Sequence, residues 1–112
     1  MRDDDRVRLG HMIDAAESVI QFTTGRSPSD LNADRMLLFA VVRAIEVVGE
    51  AAARMSEDLR SAAPRVPWRA IVSMRNRLVH GYFDIDTEIV WKTAAEELPA
   101  LLPVLRGLLS SE

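Results

Sequence analysis

Apolar residues along this chain recur at steps of three and four, and no stretch of strict alternation lasts long enough to suggest a strand. Leu9, Met12, Ile13, Ala16, Val19 and Ile20 stack on one face of a helix predicted from about Asp4 to Thr23. "TGRSPSD" at 24–30 then supplies Gly, Pro and Ser as a break, with Ser29 or Asp30 able to cap the next helix. That second helix is long, with an apolar stripe of Leu37, Val41, Ala44, Ile45, Val48, Ala52 and Met55 that ends near Ser56. "DLRSAAPRVP" at 58–67 reads as a short helical turn and a proline-limited loop. Pro67 is placed for the first turn of a third main helix, from Trp68 to Val79 or His80 and stopped by Gly81. "FDIDTEIVWK" at 83–92 reopens helically, with Asp86 as N-cap and Glu88 in the first turn, and Pro99 and Pro103 are expected to break or kink the last stretch of the chain.

These elements make an all-α, up-and-down bundle of four or five helices, in a single domain spanning residues 1–112. A chain of this length has room for one core and no more. Mean hydropathy near zero fits a soluble chain. Apolar runs are interrupted by Arg, Asp or Glu before they could span a bilayer, and "MRDDDRVRLGHMID" has no apolar signal core, so no membrane association and a cytoplasmic location are expected. The absence of cysteine excludes disulfides, thiolate metal sites and a cysteine nucleophile.

A net charge of −3 argues against a general nucleic-acid binder. Charge is unevenly distributed, however: from Ala63 to Phe83 the chain carries Arg65, Arg69, Arg75 and Arg77 and no acidic residue, a local patch able to hold phosphate. On a helical wheel Arg75 falls near the centre of a face shared by Trp68, Ile71, Val72, Leu78, Val79 and Tyr82. A charge there is costly unless paired. Either Arg75 is tied to Glu46 or Glu50 of the second helix, or the face opens on a cleft or a partner chain, where the guanidinium would clamp a phosphate. His80 near a helix end can be a simple cap, or can turn at Gly81 towards a ligand held by Arg75. Asn76, one turn earlier, could orient the imidazole, and Tyr82 is the one tyrosine of the chain. Together they combine a cation, an amide, an imidazole and a phenol within eight residues, the set that metal-free phosphodiester chemistry requires. Glu46 and Glu50 lack a third ligand at compatible spacing, so no metal or other cofactor is expected. Gly49 sits in a helix interior at a cost of about 1 kcal/mol relative to alanine, which points to close helix packing.

The stretch Arg75-Asn76-Arg77-Leu78-Val79-His80-Gly81-Tyr82 resembles the R-x4-H-x-Y motif of HepT-like proteins, a branch of the HEPN superfamily of helical ribonucleases and nucleotide-binding domains. "AIEVVGEAAARMS" at 44–56 resembles the second-helix signature of that branch, and the region from Trp91 to "EELPALLPVL" resembles its last helix. The resemblance implies the toxin of a toxin–antitoxin pair: a metal-independent endoribonuclease that acts as a homodimer beside a nucleotidyltransferase antitoxin. Arg75 and His80 then match the catalytic pair, Asn76 a supporting polar residue, and Tyr82 the tyrosine that the antitoxin modifies with AMP. RNA affinity would come from Arg65, Arg69 and Arg77 around Arg75. The chain has two histidines, His80 and the distant His11, whereas cleavage through a 2′-hydroxyl needs both a base and an acid. A twofold axis near Arg75 would bring two copies of His80 to one cleft. The contrasting reading is a non-catalytic HEPN dimer that binds a nucleotide or a partner nucleotidyltransferase.

Overall fold

The computed structural model describes residues 1–79 and 84–111. Among these, eight α-helices succeed one another: α1 (Asp3–Thr23), α2 (Pro28–Ala33), α3 (Arg35–Ala53), α4 (Glu57–Ala62), α5 (Trp68–Val72), α6 (Met74–Leu78), α7 (Thr87–Lys92) and α8 (Leu98–Ser110). A π-helical turn, Thr93–Glu97, joins the last two. The long helices α1 and α3 pack along each other, α8 closes over α1, and α5 and α6 lie against α3. The bundle is all-α, as the helical periodicity requires. Among the described residues the sole β feature is an isolated antiparallel bridge between Val79 and Ile85.

The core follows the two predicted stripes. Leu9, Met12, Ile13, Ala16 and Val19 of α1 meet Leu37, Val41, Ile45, Val48 and Ala52 of α3, and Leu98 and Leu105 of α8 complete the same cluster. Ala44 departs from its stripe: it is half-buried and faces outward into a groove. Gly49 lies against a backbone. A Cβ there would stand 3.1 Å from the Ile71 carbonyl oxygen, so the close packing expected at Gly49 is against the end of α5.

Several boundaries differ from the sequence reading. The break before the second helix is capped by Ser27, whose side chain and Asp30 form a capping box. The helix expected there is two helices, with the Asp34 side chain accepting from Leu37 N–H to start α3. Asp86 caps α7 as expected, through Ile89 N–H at 3.2 Å. The prolines do not break the last helix. Pro99 falls in the first turn of α8, where an amide donor is dispensable, and comes after the π turn, in which Leu98 N–H reaches back to Thr93. α8 continues through Pro103.

The third main helix is likewise two. Ser73 ends α5 and donates its hydroxyl to the Arg69 carbonyl at 2.9 Å, giving that acceptor a second donor beside the Ser73 amide. Asn76 N–H then bonds the Ser73 carbonyl in the tighter i→i+3 pattern. α6 ends at Leu78, because Val79 is extended and bridged to Ile85 while Asp86 N–H bonds the Leu78 carbonyl at 2.8 Å.

One buried carboxylate fastens α1 to α4. Asp5 accepts hydrogen bonds from the Ser56 amide at 2.9 Å and the Ser56 hydroxyl at 2.5 Å, while the same hydroxyl oxygen caps α4 through Leu59 N–H. Burial pushes the Asp5 carboxyl up, but the two Ser56 bonds and the Arg2 and Arg8 charges outweigh it, so the group lies below the usual carboxylate range. A folded-state pKa below the unfolded value of about 3.9 contributes stability that is fully present above that value and is lost as pH falls through the folded one. Asp5→Asn is therefore expected to destabilise the bundle by about 1 to 2 kcal/mol at pH 7. The gap to the parent should close as pH falls below the unfolded value of about 3.9 and through the lower folded one, as read from urea unfolding at each pH.

Candidate active site

Arg75 is the second residue of α6, and its placement corrects the wheel. The buried side chains of α5 and α6 are Trp68, Ile71, Met74 and Leu78, so Met74 takes the inward position. Arg75 is turned one residue further round, with its side chain 60% exposed. Val72, one turn before it, is also exposed. The change has a local cause. A straight helix through Ser73 would have kept Arg75 on the Ile71 face; the turn at Ser73 rotates α6 relative to α5.

Glu46 is the partner that α3 supplies. Arg75 Nε donates to Glu46 Oε2 at 2.6 Å, and Glu50, the other carboxylate within sequence reach, is paired instead with Arg43 at 3.0 Å. Glu46 and Gly49 are one turn apart on α3, so the close approach that Gly49 permits is the same one that brings α5 and α6 within reach of Glu46. The Glu46 side chain is 20% exposed, which makes it the fixed member of the pair. Holding a guanidinium by Nε leaves its outer edge unused, and the two terminal nitrogens of Arg75 bond no described residue. Those nitrogens form the planar donor fork that matches phosphate oxygens.

The arginine-rich segment is partly neutralised by folding. It contains no acid of its own, yet Glu46 arrives from α3 for Arg75, and Glu97 arrives from the π turn for Arg77 at 3.5 Å. Arg77 also leans on the Ala70 carbonyl, and its Nε is buried without a partner among the described residues. Arg65 and Arg69 remain exposed, and neither has an acidic partner among the described residues. Asn76 is exposed and its side chain makes no hydrogen bond to a described residue. His80 and Tyr82 lie outside the described residues, between the bridged Val79 and Ile85. The sequence reading misses one member of this arrangement as a site residue: it treats Glu46 as a structural counter-ion, and the signal for a larger role is its one-turn spacing from a helix-interior glycine.

A family model described as ribonuclease HepT-like matches residues 12–108, which takes in α3, the Arg75–Glu46 pair and the whole R-x4-H-x-Y stretch. The chain belongs to the HepT-like family. Its curated relatives agree over nearly full length. It is 35% identical to "Probable ribonuclease HepT" of Thermococcus cleftensis over 90% of this chain and 92% of that one. It is 36% identical to "Putative RNase MJ1380" of Methanocaldococcus jannaschii over 88% and 90% of the two chains. A third relative, "Putative RNase TTE0752" of Caldanaerobacter subterraneus, shares 34% over 96% of each. No solved structure matches this chain. Among the described residues of this HepT-like chain, no helix is long and apolar enough to cross a membrane.

Proposed function

We propose that this chain is a metal-independent endoribonuclease, the toxin of a toxin–antitoxin pair, whose active cleft is completed by a second copy. The observation that carries the reading is the exposed Arg75 fork, held from behind by Glu46 and leading within five residues to His80. Family membership supports it. In this reading Arg75 donates to the non-bridging oxygens of the scissile phosphate and stabilises the charge of the phosphorane. One His80 takes the proton of the 2′-hydroxyl, whose oxygen attacks phosphorus. The 5′-oxygen leaves with a proton from the other His80, and the upstream fragment retains a 2′,3′-cyclic phosphate. Arg65, Arg69 and Arg77 attract the flanking backbone, and Asn76 supports the imidazole. Both carboxylates that could serve Mg2+, Glu46 and Glu50, are engaged by arginines.

His80→Ala should abolish RNA cleavage and growth inhibition with helicity unchanged by circular dichroism; full cleavage by a folded variant overturns the assignment.

Silencing is assigned to Tyr82. Its phenol oxygen would attack the α-phosphorus of a nucleoside triphosphate in the partner nucleotidyltransferase, releasing pyrophosphate and leaving AMP on the toxin. Each added phosphate brings negative charge to the region where Arg75 must hold RNA. Co-expression with that enzyme should raise the mass by whole AMP units, located on Tyr82 by peptide mass spectrometry. Tyr82→Phe should cleave RNA and escape silencing. Growth rescue with no change in mass would show inhibition by complex formation alone.

A further inference from the structure

The short helix α6 carries two arginines, and the fold clamps them unequally. Arg75 and Arg77 are two residues apart, about 200° round the helix axis, so they leave α6 on opposite sides. Each meets one carboxylate brought in by a neighbouring segment: Glu46 from α3 for Arg75, and Glu97 from the π turn for Arg77. The first contact is 2.6 Å, to a carboxylate 20% exposed; the second is 3.5 Å, to one 34% exposed. Well-seated charged N–H···O pairs close to about 2.7 to 2.9 Å, so Arg77–Glu97 is a loose ion pair and not a tight hydrogen bond.

The other contacts of Arg77 are no better. The Nη2 that faces Glu97 also approaches the Ala70 carbonyl at 3.5 Å, and Nε is buried with no acceptor among the described residues. A buried donor left unmatched destabilises the arrangement that holds it. Pro67, Ala70, Met74 and Leu101 border, with the Arg77–Glu97 pair, a cavity of about 50 Å³, so packing does not lock the guanidinium in place. An outward swing would return Nε to water and give up only two long contacts. Glu97 itself closes the π turn Thr93–Glu97, and π turns inside helical runs are frequent at functional sites.

We propose that Glu97 is an internal stand-in for RNA phosphate: it holds Arg77 in the free protein and yields it to a backbone phosphate flanking the scissile bond. RNA as the incoming anion comes from the nuclease reading; the exchangeable pair does not depend on it. The two arginines then divide the work. Arg75, fixed through its Nε, keeps its fork aimed at the scissile phosphate, while Arg77, leaving the opposite side of α6, takes a neighbouring one. Every phosphate taken by Arg77 must displace Glu97, so the carboxylate lowers affinity for RNA and screens Arg77 from other anions. That masking suits an acidic chain with one arginine-rich segment.

Binding of a fluorescent single-stranded oligoribonucleotide, followed by anisotropy in a His80→Ala background so that the RNA stays intact, tests the exchange. Glu97→Gln should tighten binding about threefold, the scale of one surface ion pair released. Glu96→Gln makes the same change of charge at an exposed neighbour in the same turn and should have a much smaller effect. Arg77→Gln, which keeps part of the side-chain stem over the cavity, should weaken binding and reduce the salt slope by about 0.7, the share of one phosphate on a single strand. Once Arg77 is Gln, adding Glu97→Gln should change nothing. Equal tightening by Glu96→Gln and Glu97→Gln, a gain from Glu97→Gln that persists without Arg77, or an unchanged salt slope in Arg77→Gln overturns the proposal. If the cycle behaves as stated but the chain with His80 intact cuts no RNA, the exchange stands and the nuclease reading falls; cleavage without the cycle does the reverse.

Discussion

Arg75→Ala is expected to lower the rate of RNA cleavage by about a hundredfold to a thousandfold, the usual consequence of removing one donor aimed at a developing oxyanion. The fold should survive the change. Arg75 is 60% exposed, and its bond to Glu46 is a partly solvated ion pair, for which about 1 kcal/mol is an upper value. Unfolding midpoints of parent and variant should therefore differ little while activity collapses. Lysine is not expected to restore the rate, because an ammonium offers no planar fork to the phosphate. Glu46 supplies a finer test. Glu46→Ala frees the guanidinium to swing, which lowers kcat while the protein still binds RNA; Glu46→Gln keeps an acceptor for Arg75 Nε and should recover part of the loss. A Glu46→Ala variant as active as the parent would reduce the contact to a surface ion pair with no positioning role.

The largest stability effect is expected at Gly49, one turn from Glu46 on α3. Alanine there gains about 1 kcal/mol of helix propensity, but its Cβ meets the Ile71 carbonyl oxygen at 3.1 Å, so the two effects nearly cancel. Leucine has no such compensation. Its branched end would enter the space occupied by the α5 backbone and force α5 and α6 away from α3, at a cost of about 3 kcal/mol. For a chain of this size that lowers the melting temperature by about 15 °C. The displacement also carries Arg75 away from Glu46, so activity measured well below the melting temperature should fall too. Parent-like melting of Gly49→Leu would mean that the α3–α5 contact is looser than 3.1 Å implies.

The two long helices are legible because their apolar residues repeat over about three turns in α1 and about five in α3, long enough to fix the helical period. α5 and α6 are five residues each, and a wheel drawn through Ser73 assumes a straight axis that a hydroxyl competing for a carbonyl has already broken. That one assumption puts Arg75 on the buried face and leaves Met74 off it. Sequence narrows the partner of Arg75 to two carboxylates, and the choice between them comes from α5 approaching α3 at Gly49, a contact between distant segments. Pro103 shows the limit of local rules in the other direction, since α8 is held by Leu98, Leu101, Leu102 and Leu105 in the core strongly enough to continue through it. The exposure of Phe22, Met36 and Phe39 is invisible in the sequence. Those residues are apolar, and pattern alone assigns an apolar residue to a core; only the folded chain shows which of them face outward.

The nuclease reading is decided most directly by cleavage of a single-stranded RNA by the purified wild-type protein in excess EDTA, with analysis of the product ends. Cleavage should be undiminished under chelation, leave upstream fragments ending in 2′,3′-cyclic phosphate, and make no cut at a position carrying a 2′-deoxy sugar. Loss of activity on chelation, or cleavage at the 2′-deoxy position, would contradict that reading.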